Sequence, residues 1–213
     1  MDAGLKRELE AKVYAGERLS RADGEALYAC DDVAWLGRLA HHRRTRLNGD
    51  RVTFSGAGGD LGGPVATLVY GRIEQPGLRI DEVLRLREVQ DESGEFTSFA
   101  PLRHRTDSDE FGTGAAPTES LKVFAVSRLL FDNVTHVTCS WDTQTLSIAQ
   151  LTLNFGADDL AGSSVPDRDE LVELIGDAGF QPVERDARWQ VVREYDRAPS
   201  LAERRSEPQK VWA

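Results

Sequence analysis

The hydrophobic pattern divides the chain into an N-terminal stretch of helical period and a longer region in which strand and helix patterns alternate. Helices are predicted from about Leu5 to Tyr14, and from Ser20, which forms a capping box with Asp23, to about Cys30. A third helix follows, because apolar residues recur there at helical spacing. Its apolar positions are Val33, Leu36, Leu39 and Ala40.

A glycine-rich stretch separates this helical segment from the rest of the chain. Residues 51–54 (Arg-Val-Thr-Phe) form a predicted strand. Five glycines then occur within residues 55–64, a density typical of a loop or a join. We therefore divide the sequence into a helical segment with its first strand (1–54), the join (55–64), a second region (65–196) and a tail (197–213).

The second region repeats a strand followed by a helix four times. The predicted strands are 65–70, 96–102, 136–141 and 160–165, the predicted helices are 80–91, 118–131, 145–155 and 167–178, and a terminal strand is predicted at 189–195. This alternation predicts parallel strands joined by right-handed crossovers. The predicted fold class is α/β: a partial (β/α) barrel of about four units, half of an eight-stranded barrel, with an N-terminal helical segment. Because a half-barrel leaves two strand edges and an inner face uncovered, we expect a homodimer.

The charge balance excludes some classes of partner. The chain of 213 residues has 26 Lys and Arg against 36 Asp and Glu, a net charge of -10, which repels phosphate backbones and anionic lipids. The dense basic run of Arg43, Arg44 and Arg46 is predicted to be a solvated helix face. No stretch has the roughly 18 apolar residues that cross a bilayer, and the N-terminus is charged where a signal peptide is apolar. We expect a cytoplasmic protein that binds neither nucleic acid nor membrane.

The cysteines and histidines do not form a metal-binding pattern. Cys30 and Cys139, the two cysteines of the sequence, are too far apart for a local motif and are predicted to be core thiols. No histidine pair has the i, i+4 spacing of a helical metal site. The sequence therefore predicts no bound metal.

Two parts of the chain resemble one enzyme family. The first begins at residues 12–20 (Lys-Val-Tyr-Ala-Gly-Glu-Arg-Leu-Ser) and continues through 23–24, 26–28, 36–40 and 49–52. The second comprises residues 66–71, 84–91, 149–151 and 154–160, in the same order and register as in the family. Both parts resemble aminofutalosine synthases. The related futalosine-pathway cyclase and the deazaflavin-forming synthases are similar only to portions of the second part.

The resemblance implies a TIM-like barrel and the radical S-adenosylmethionine chemistry of menaquinone biosynthesis. In that family a [4Fe-4S] cluster cleaves S-adenosylmethionine, and the adenosyl radical adds to a chorismate-derived enol ether. Three cysteines of a CxxxCxxC loop hold the cluster, which is a task for thiolates. That loop would follow residues 51–54, but this sequence continues as Ser-Gly-Ala-Gly-Gly-Asp (55–60) and resumes at what resembles the fifth barrel strand. We expect neither the cluster nor S-adenosylmethionine to bind.

Candidate site residues are taken from the predicted C-terminal strand ends, where (β/α) barrels carry their chemistry. The predicted catalytic residues are His104, Arg72 and Asp142, and the predicted substrate-binding residues are Tyr70, Glu74, Arg103, Ser140 and Trp141. His104 is either an acid or base between two arginines or an ordinary surface histidine. Arg72 and Arg103 either hold a carboxylate together or pair with acidic neighbours. Trp141 either stacks on a ligand or fills the barrel mouth.

Three hypotheses about function remain open at this point. The leading one is a degenerate member of the family, without radical chemistry, that keeps the half-barrel for small-molecule binding or association. The alternative is a cofactor-independent lyase, isomerase or cyclase that acts on a small polar substrate through Arg72, His104 and Asp142. The third is a deleted derivative with no evolved role, for which a broad, non-cooperative thermal transition is expected.

Overall fold

The computed structural model describes residues 1–55, 61–71, 75–104, 115–163 and 166–197. The helices are α1 (Ala3–Ala15), α2 (Arg21–Tyr28), α3 (Val33–Asn48), α4 (Pro76–Ser93), α5 (Pro117–Leu130), α6 (Leu146–Thr152), which a 3₁₀ turn (Leu153–Phe155) extends, and α7 (Arg168–Asp177). The strands are β1 (Arg51–Ser55), β2 (Val65–Tyr70), β3 (Ser98–Arg103), β4 (His136–Ser140), β5 (Asp159–Ala161), β6 (Gln181–Arg185) and β7 (Val191–Glu194).

One seven-stranded sheet forms the centre of the fold, in the order β2-β3-β4-β5-β1-β6-β7. All neighbouring pairs are parallel except β6 and β7. The predicted α/β class is therefore correct, and β2 to α7 follow one another as four strand-helix units. The strand that precedes the join, β1, pairs with β5 on one side and with β6 on the other. The N-terminal segment thus contributes a central strand to the sheet.

Strand β6 was not predicted from the sequence, and its composition gives the reason. It reads Gln-Pro-Val-Glu-Arg, with a proline that lacks a backbone donor and two charged residues beside a single branched apolar one. Glu184 and Arg185 are nonetheless buried, because Arg168 and Asp159 neutralise them across the fold. These partners are distant in sequence, so the pattern of residues within β6 alone does not predict its burial.

The two faces of the sheet differ in chemistry. Successive strand residues point to opposite sides, so the register separates a helix-facing side from an inner face turned away from the helices. The helix-facing side is apolar and joins the main core: Val52, Phe54, Ala66, Leu68, Phe99, Val137, Cys139 and Leu160. The inner face carries polar residues on its central strands: Thr53, Ser55, Ser98, Thr138, Ser140, Asp159 and Arg185. Candidate chemistry is concentrated on the inner face and at the strand ends.

The N-terminal helices pack on the helix layer. The predicted capping box of α2 is confirmed: Ser20 Oγ accepts from the Asp23 N–H at 3.2 Å, and Asp23 Oδ2 accepts from the Ser20 N–H at 2.8 Å. Helix α3 packs against α5 and the 3₁₀ turn, with Leu36, Leu39 and Ala40 fully buried. This packing accounts for the apolar stripe recognised in the sequence.

The prediction that Arg44 lies on a solvated face was wrong. Its side chain is fully buried and donates to the backbone carbonyl oxygens of Ala157, Gly49 and Arg51. Its guanidinium carbon also lies 4.2 Å from the centre of the Phe180 ring. Burial lowers the pKa of Arg44 to about 10, so the guanidinium remains charged at neutral pH. Arg44 therefore ties the end of α3 to the beginnings of β1 and β5.

Candidate functional site

The parallel strands bring their C-terminal ends to one edge of the sheet, as the barrel argument requires. Six of the eight predicted site residues are described there, whereas Arg72 and Glu74 lie outside the described residues. The structure therefore does not describe the predicted pairing of Arg72 with Arg103 on a carboxylate.

Tyr70 is at the end of β2 but faces the helix layer. It is fully buried, its hydroxyl donates to Ser120 Oγ at 2.9 Å, and it accepts a hydrogen bond from Gln144 Nε2 at 2.5 Å. Burial raises the pKa of Tyr70 to about 12. In this arrangement Tyr70 joins β2 to α5 and to the turn before α6, with no surface exposed to a ligand.

Arg103 and His104 are half-buried at the end of β3. The backbone N–H of His104 donates to the Tyr70 carbonyl at 2.6 Å, which extends the pairing of β2 and β3 by one bond. Arg103 Nε donates to the Ala115 carbonyl at 3.2 Å. The Arg103 side chain and the His104 backbone are thus held at the strand end, and both residues retain partial access to solvent.

Ser140, Trp141 and Asp142 follow one another at the end of β4. Asp142 Oδ2 accepts from the backbone N–H of Ser163 at 2.7 Å and from its hydroxyl at 3.0 Å, which links the loops after β4 and β5. The Trp141 indole lies so close to Gly162 that a Cβ atom there would overlap it. Trp141 is only 7% exposed, so it fills the space between the two loops and does not present a free stacking surface.

A buried polar cluster occupies the middle of the inner face. Asp159 forms a two-point ion pair with Arg185, at 2.8 Å from Nε and 2.7 Å from Nη2. The same carboxylate accepts from the hydroxyls of Thr53 at 2.6 Å and Thr138 at 2.9 Å. The four residues come from β5, β6, β1 and β4. We call them the inner-face cluster, and its side chains satisfy both oxygens of the carboxylate.

Trp189 and the end of the join cover this cluster. The Trp189 ring stacks on His136 with 4.3 Å between ring centres, and the guanidinium carbon of Arg185 lies 4.0 Å from the Trp189 ring. Trp189 Nε1 donates to the Gly62 carbonyl at 2.9 Å, and Arg185 Nη2 donates to the Leu61 carbonyl at 3.2 Å. Residues 61 and 62 therefore cross the inner face on the path from β1 to β2.

A second buried ion pair lies at the start of β5. Asp158 pairs with the fully buried Arg128, accepts from the Val137 N–H at 2.8 Å and contacts His136 Nδ1 at 2.6 Å. Burial alone would raise the pKa of Asp158, but Arg128, His136 and the Val137 N–H outweigh it and hold that pKa below its usual range. His136 thus connects this ion pair to Trp189 above the inner-face cluster.

Sequence reasoning did not identify these polar residues as a group. Their signal was present but indirect: the acidic pair at 158–159 interrupts an otherwise apolar run, Ala-Asp-Asp-Leu-Ala. Buried acids require partners, so such a pair predicts that cations or donors lie opposite it. Which cations these are depends on the order of strands, and that order is not readable from the sequence.

The thiols do not fit the cluster that the family resemblance implies. An iron-sulfur cluster of this kind takes three cysteine thiolates from one loop, whereas Cys30 follows α2 and Cys139 lies within β4 on the helix-facing side. Both are buried, and burial raises the pKa of Cys139 to about 12. Across the described ranges no group of three His, Cys, Asp or Glu side chains could hold a metal ion. We therefore derive no reaction step through a cluster.

Sequence comparison gives the family. The chain is 30% identical over 388 aligned positions to an aminodeoxyfutalosine synthase of Streptomyces coelicolor, and the alignment covers 99% of this chain and 100% of that protein. This chain belongs to the aminodeoxyfutalosine synthase family. The enzyme of the same name from Thermus thermophilus is 37% identical over 212 positions, which cover 88% of this chain and 51% of that enzyme. No protein-family model matches the chain.

The alignment to the Streptomyces relative contains a large internal difference. Since this chain has 213 residues, at least 175 of the 388 aligned positions (388 minus 213) lie opposite gaps in it. These positions are internal, because both proteins are covered from end to end. This family member therefore lacks a large internal part of its relative.

The fold agrees with this assignment at a coarse level. The crystal structure of HydG, a maturase of the [FeFe]-hydrogenase, superposes on 86% of this chain and 76% of that chain, with a TM-score of 0.64 at 6% identity. This likeness shows a shared α/β fold and nothing about activity. In the described part of the chain, no helix combines the length and apolarity needed to cross a membrane.

Proposed function

We propose that this family member carries out no radical S-adenosylmethionine chemistry and uses its sheet for small-molecule binding or self-association. The observation that carries the proposal is the number and position of the cysteines. The sequence has two cysteines, and neither is in the glycine-rich stretch that follows β1, where the family resemblance puts the cluster loop. A cluster with three thiolate ligands cannot be assembled from two thiols that belong to separate, buried positions.

The filling of the inner face by the protein's own side chains supports the same proposal. In a (β/α) barrel the chemistry is at the strand ends around the barrel axis, but here the central inner face is occupied by the chain's own side chains. Asp159 and Arg185 satisfy one another, and Trp189 with residues 61 and 62 covers them. Such closure suits a stable scaffold better than a cavity for a large cofactor.

Anaerobic reconstitution with iron and sulfide tests the loss of radical chemistry. The Streptomyces relative serves as the positive control under identical conditions. We expect less than stoichiometric iron, none of the visible absorbance of a [4Fe-4S] cluster, and no reductive cleavage of S-adenosylmethionine. Stoichiometric iron and sulfide together with cofactor cleavage would refute the proposal.

Self-association as a homodimer is proposed from the two edges of the sheet. Strands β2 and β7 are its outermost strands, and both expose valines: Val69 is 56% exposed and Val192 is 60% exposed. Exposed apolar edge strands are surfaces that pair with other chains. Light scattering across a concentration series should give the dimer mass, and V69K or V192K should shift it toward the monomer. The matched substitution L151K, at an exposed position on α6, should not. A monomer at all concentrations would contradict this part of the proposal.

A second candidate function, cofactor-independent catalysis, rests on the acid and base groups at the strand ends. His104 is half-buried at the end of β3, and the half-buried Asp142 is oriented by Ser163 at the end of β4. General acid or base chemistry on a small polar substrate requires groups of this kind. Screening lyase, isomerase and cyclase reactions with wild type, R72A, H104A and D142A tests it. Turnover that all three variants leave unchanged would exclude these residues from catalysis.

A further inference from the structure

Strand β2 is an outer strand without the features that usually protect a sheet edge from pairing. It forms a regular six-residue ladder with β3, and no other described strand lies beside it. Its sequence, Val-Ala-Thr-Leu-Val-Tyr, contains neither a charge nor a proline. Charges, prolines, bulges and very short strands protect edges in soluble proteins. The other outer strand, β7, has four residues, includes Arg193 and Glu194, and pairs with β6 through an irregular register. The edge that is open to a partner is therefore β2.

The backbone groups of every second residue of β2 point away from β3. The Tyr70 carbonyl accepts from the His104 N–H, so the backbone groups of Tyr70 point towards β3. These groups alternate in direction along a strand. The residues whose N–H and C=O groups face the open edge are therefore Val65, Thr67 and Val69. Their side chains all lie on the inner face, where Thr67 and Val69 are exposed.

This alternation selects one register for pairing with a second copy. In a closed dimer the same surface meets itself about a twofold axis, so β2 must run antiparallel to its copy. An axis at Thr67 places that residue opposite its own counterpart and places Val65 opposite Val69. All three edge-facing residues then find a partner, which gives about six backbone hydrogen bonds. An axis at Ala66 or Leu68 would pair two of them only.

Helix α4 presents a charge-balanced stripe beside the same edge. It packs on β2, and Arg87 Nη1 donates to the carbonyl of Leu130 at the end of α5 at 3.0 Å. Since α5 packs on β3, the side of α4 opposite Arg87 points beyond β2. The residues at helical spacing on that side are Leu78, Glu82, Arg85 and Val89. Leu78 is 62% exposed, and Glu82 pairs with Arg85 at 2.6 Å.

The net charge of this stripe is zero, on a chain whose net charge is -10. Two copies can therefore approach each other here without the repulsion that most of the surface would cause. This balance favours a second copy as the partner.

The charged pair of α4 is level with the middle of β2. The first turn of α4 reaches the end of β2, where the guanidinium carbon of Arg79 lies 5.8 Å from the centre of the Tyr70 ring. The last turns reach the segment before β3, through a hydrogen bond from Gln90. Glu82 and Arg85 lie between these two contacts. A twofold axis through the middle of β2 turns the Glu82 of each copy towards the Arg85 of the other, so opposite charges face each other.

We propose that this chain forms a twofold dimer in which β2 pairs antiparallel with β2 of a second copy about Thr67, and in which the two α4 stripes meet on the helix-facing side. The dimer rests on the proposed self-association and adds to it the strand, the symmetry and the register. Of the two outer strands, it selects β2.

Single cysteine substitutions in the whole chain test the register. In T67C the two substituted residues have Cα atoms about 5.5 Å apart, which a disulfide can span. We expect T67C to form a covalent dimer under mild oxidation on a non-reducing gel. V69C is the matched control on the same face, because four residue spacings, about 13 Å, separate it from its own counterpart. V69C should not cross-link, and neither should wild type, whose cysteines Cys30 and Cys139 are buried.

Light scattering of charge variants tests the contact between the two helices. E82R and R85E should each weaken dimerisation about tenfold, since like charges then meet twice across the axis. The double exchange E82R/R85E should restore wild-type association, because opposite charges face each other again. V69K should shift the protein to the monomer, and V192K on β7 should leave the dimer intact.

The outcomes separate this dimer from self-association in general. A monomer at every concentration would contradict both. A stable dimer in which T67C does not cross-link, or in which V69C cross-links equally well, would overturn the register and leave self-association standing. A dimer that V192K dissociates and V69K does not would move the interface to β7. Failure of the double exchange to restore association would exclude the α4 stripe from the interface.

Discussion

At the scale of single residues, the inner-face cluster depends most on the pairing of Asp159 with Arg185. Because both side chains are buried, removing one charge leaves the other without compensation, which costs about 3–5 kcal/mol. We expect D159N to lower the free energy of unfolding by that amount in urea titrations. T138V, which removes one hydroxyl donor from the same carboxylate, should cost about 1–3 kcal/mol. Equal, small effects of both variants would contradict the assignment of the ion pair as the centre of the cluster.

Two histidines of α3 should make stability depend on pH. Burial, followed by the nearby Arg44, lowers the pKa of His41, and burial with Arg46 and Arg43 lowers the pKa of His42. The unfolded chain therefore takes up protons at about pH 6.5, before the folded one does, so stability is full above that pH and falls as the pH drops below it.

Urea titrations at about pH 7.5 and about pH 5.5, on either side of the ordinary histidine pKa, measure this dependence. H41Q and H42Q should each reduce the loss of stability between the two conditions, because each removes one titrating group. At the higher pH both histidines are neutral, so a variant's stability there reports packing changes only. A loss that neither variant alters would show that other groups cause it.

At the scale of elements, the β6–β7 hairpin is a cover for the inner face. Trp189 contacts His136, Arg185 and the Gly62 carbonyl from a half-buried position in the turn. We expect W189A to lower the free energy of unfolding by about 2–4 kcal/mol, since a large aromatic contact is lost and the ion pair becomes hydrated. R188A, at an exposed position in the turn of the same hairpin, should change it by less than about 0.5 kcal/mol. Equal losses in the free energy of unfolding for the two substitutions would show that the hairpin does not protect the inner-face cluster.

A comparison of the predicted and observed elements shows which features of the fold can be read from short stretches of sequence. Strand β2 occupies the predicted residues 65–70, and α5 differs from its predicted bounds by one residue at each end, because alternation and helical period are properties of short stretches. Strand β6 and the burial of Arg44 were missed, because partners from distant elements neutralise Glu184 and Arg185 and satisfy Arg44. For the site, the strand-end position of Ser140 and Asp142 followed from the sequence, whereas the helix-facing direction of Tyr70 required the register.

At the scale of the whole molecule, the position of β1 explains how a chain with a large internal gap relative to its family retains a continuous sheet. If β1 had no neighbouring strand on one side, its backbone N–H and C=O groups there would form a third unpaired edge of the sheet. Instead β6 runs parallel to β1 over five residues and β5 pairs with its other side, which leaves β2 and β7 as the outer strands. The helical segment, the join and the second region are therefore connected through one hydrogen-bonded sheet.

This connection predicts a single unfolding transition. Phe54 is fully buried in β1, between strands that come from the other end of the chain. F54A should lower the free energy of unfolding by about 3–5 kcal/mol and should shift the far-ultraviolet circular dichroism and tryptophan fluorescence transitions together, because loss of β1 separates β5 from β6. L47A, at an exposed position on α3, provides a control with little expected effect. Transitions that separate, or a broad transition already present in wild type, would indicate that the regions fold independently and would favour a deleted derivative without an evolved role.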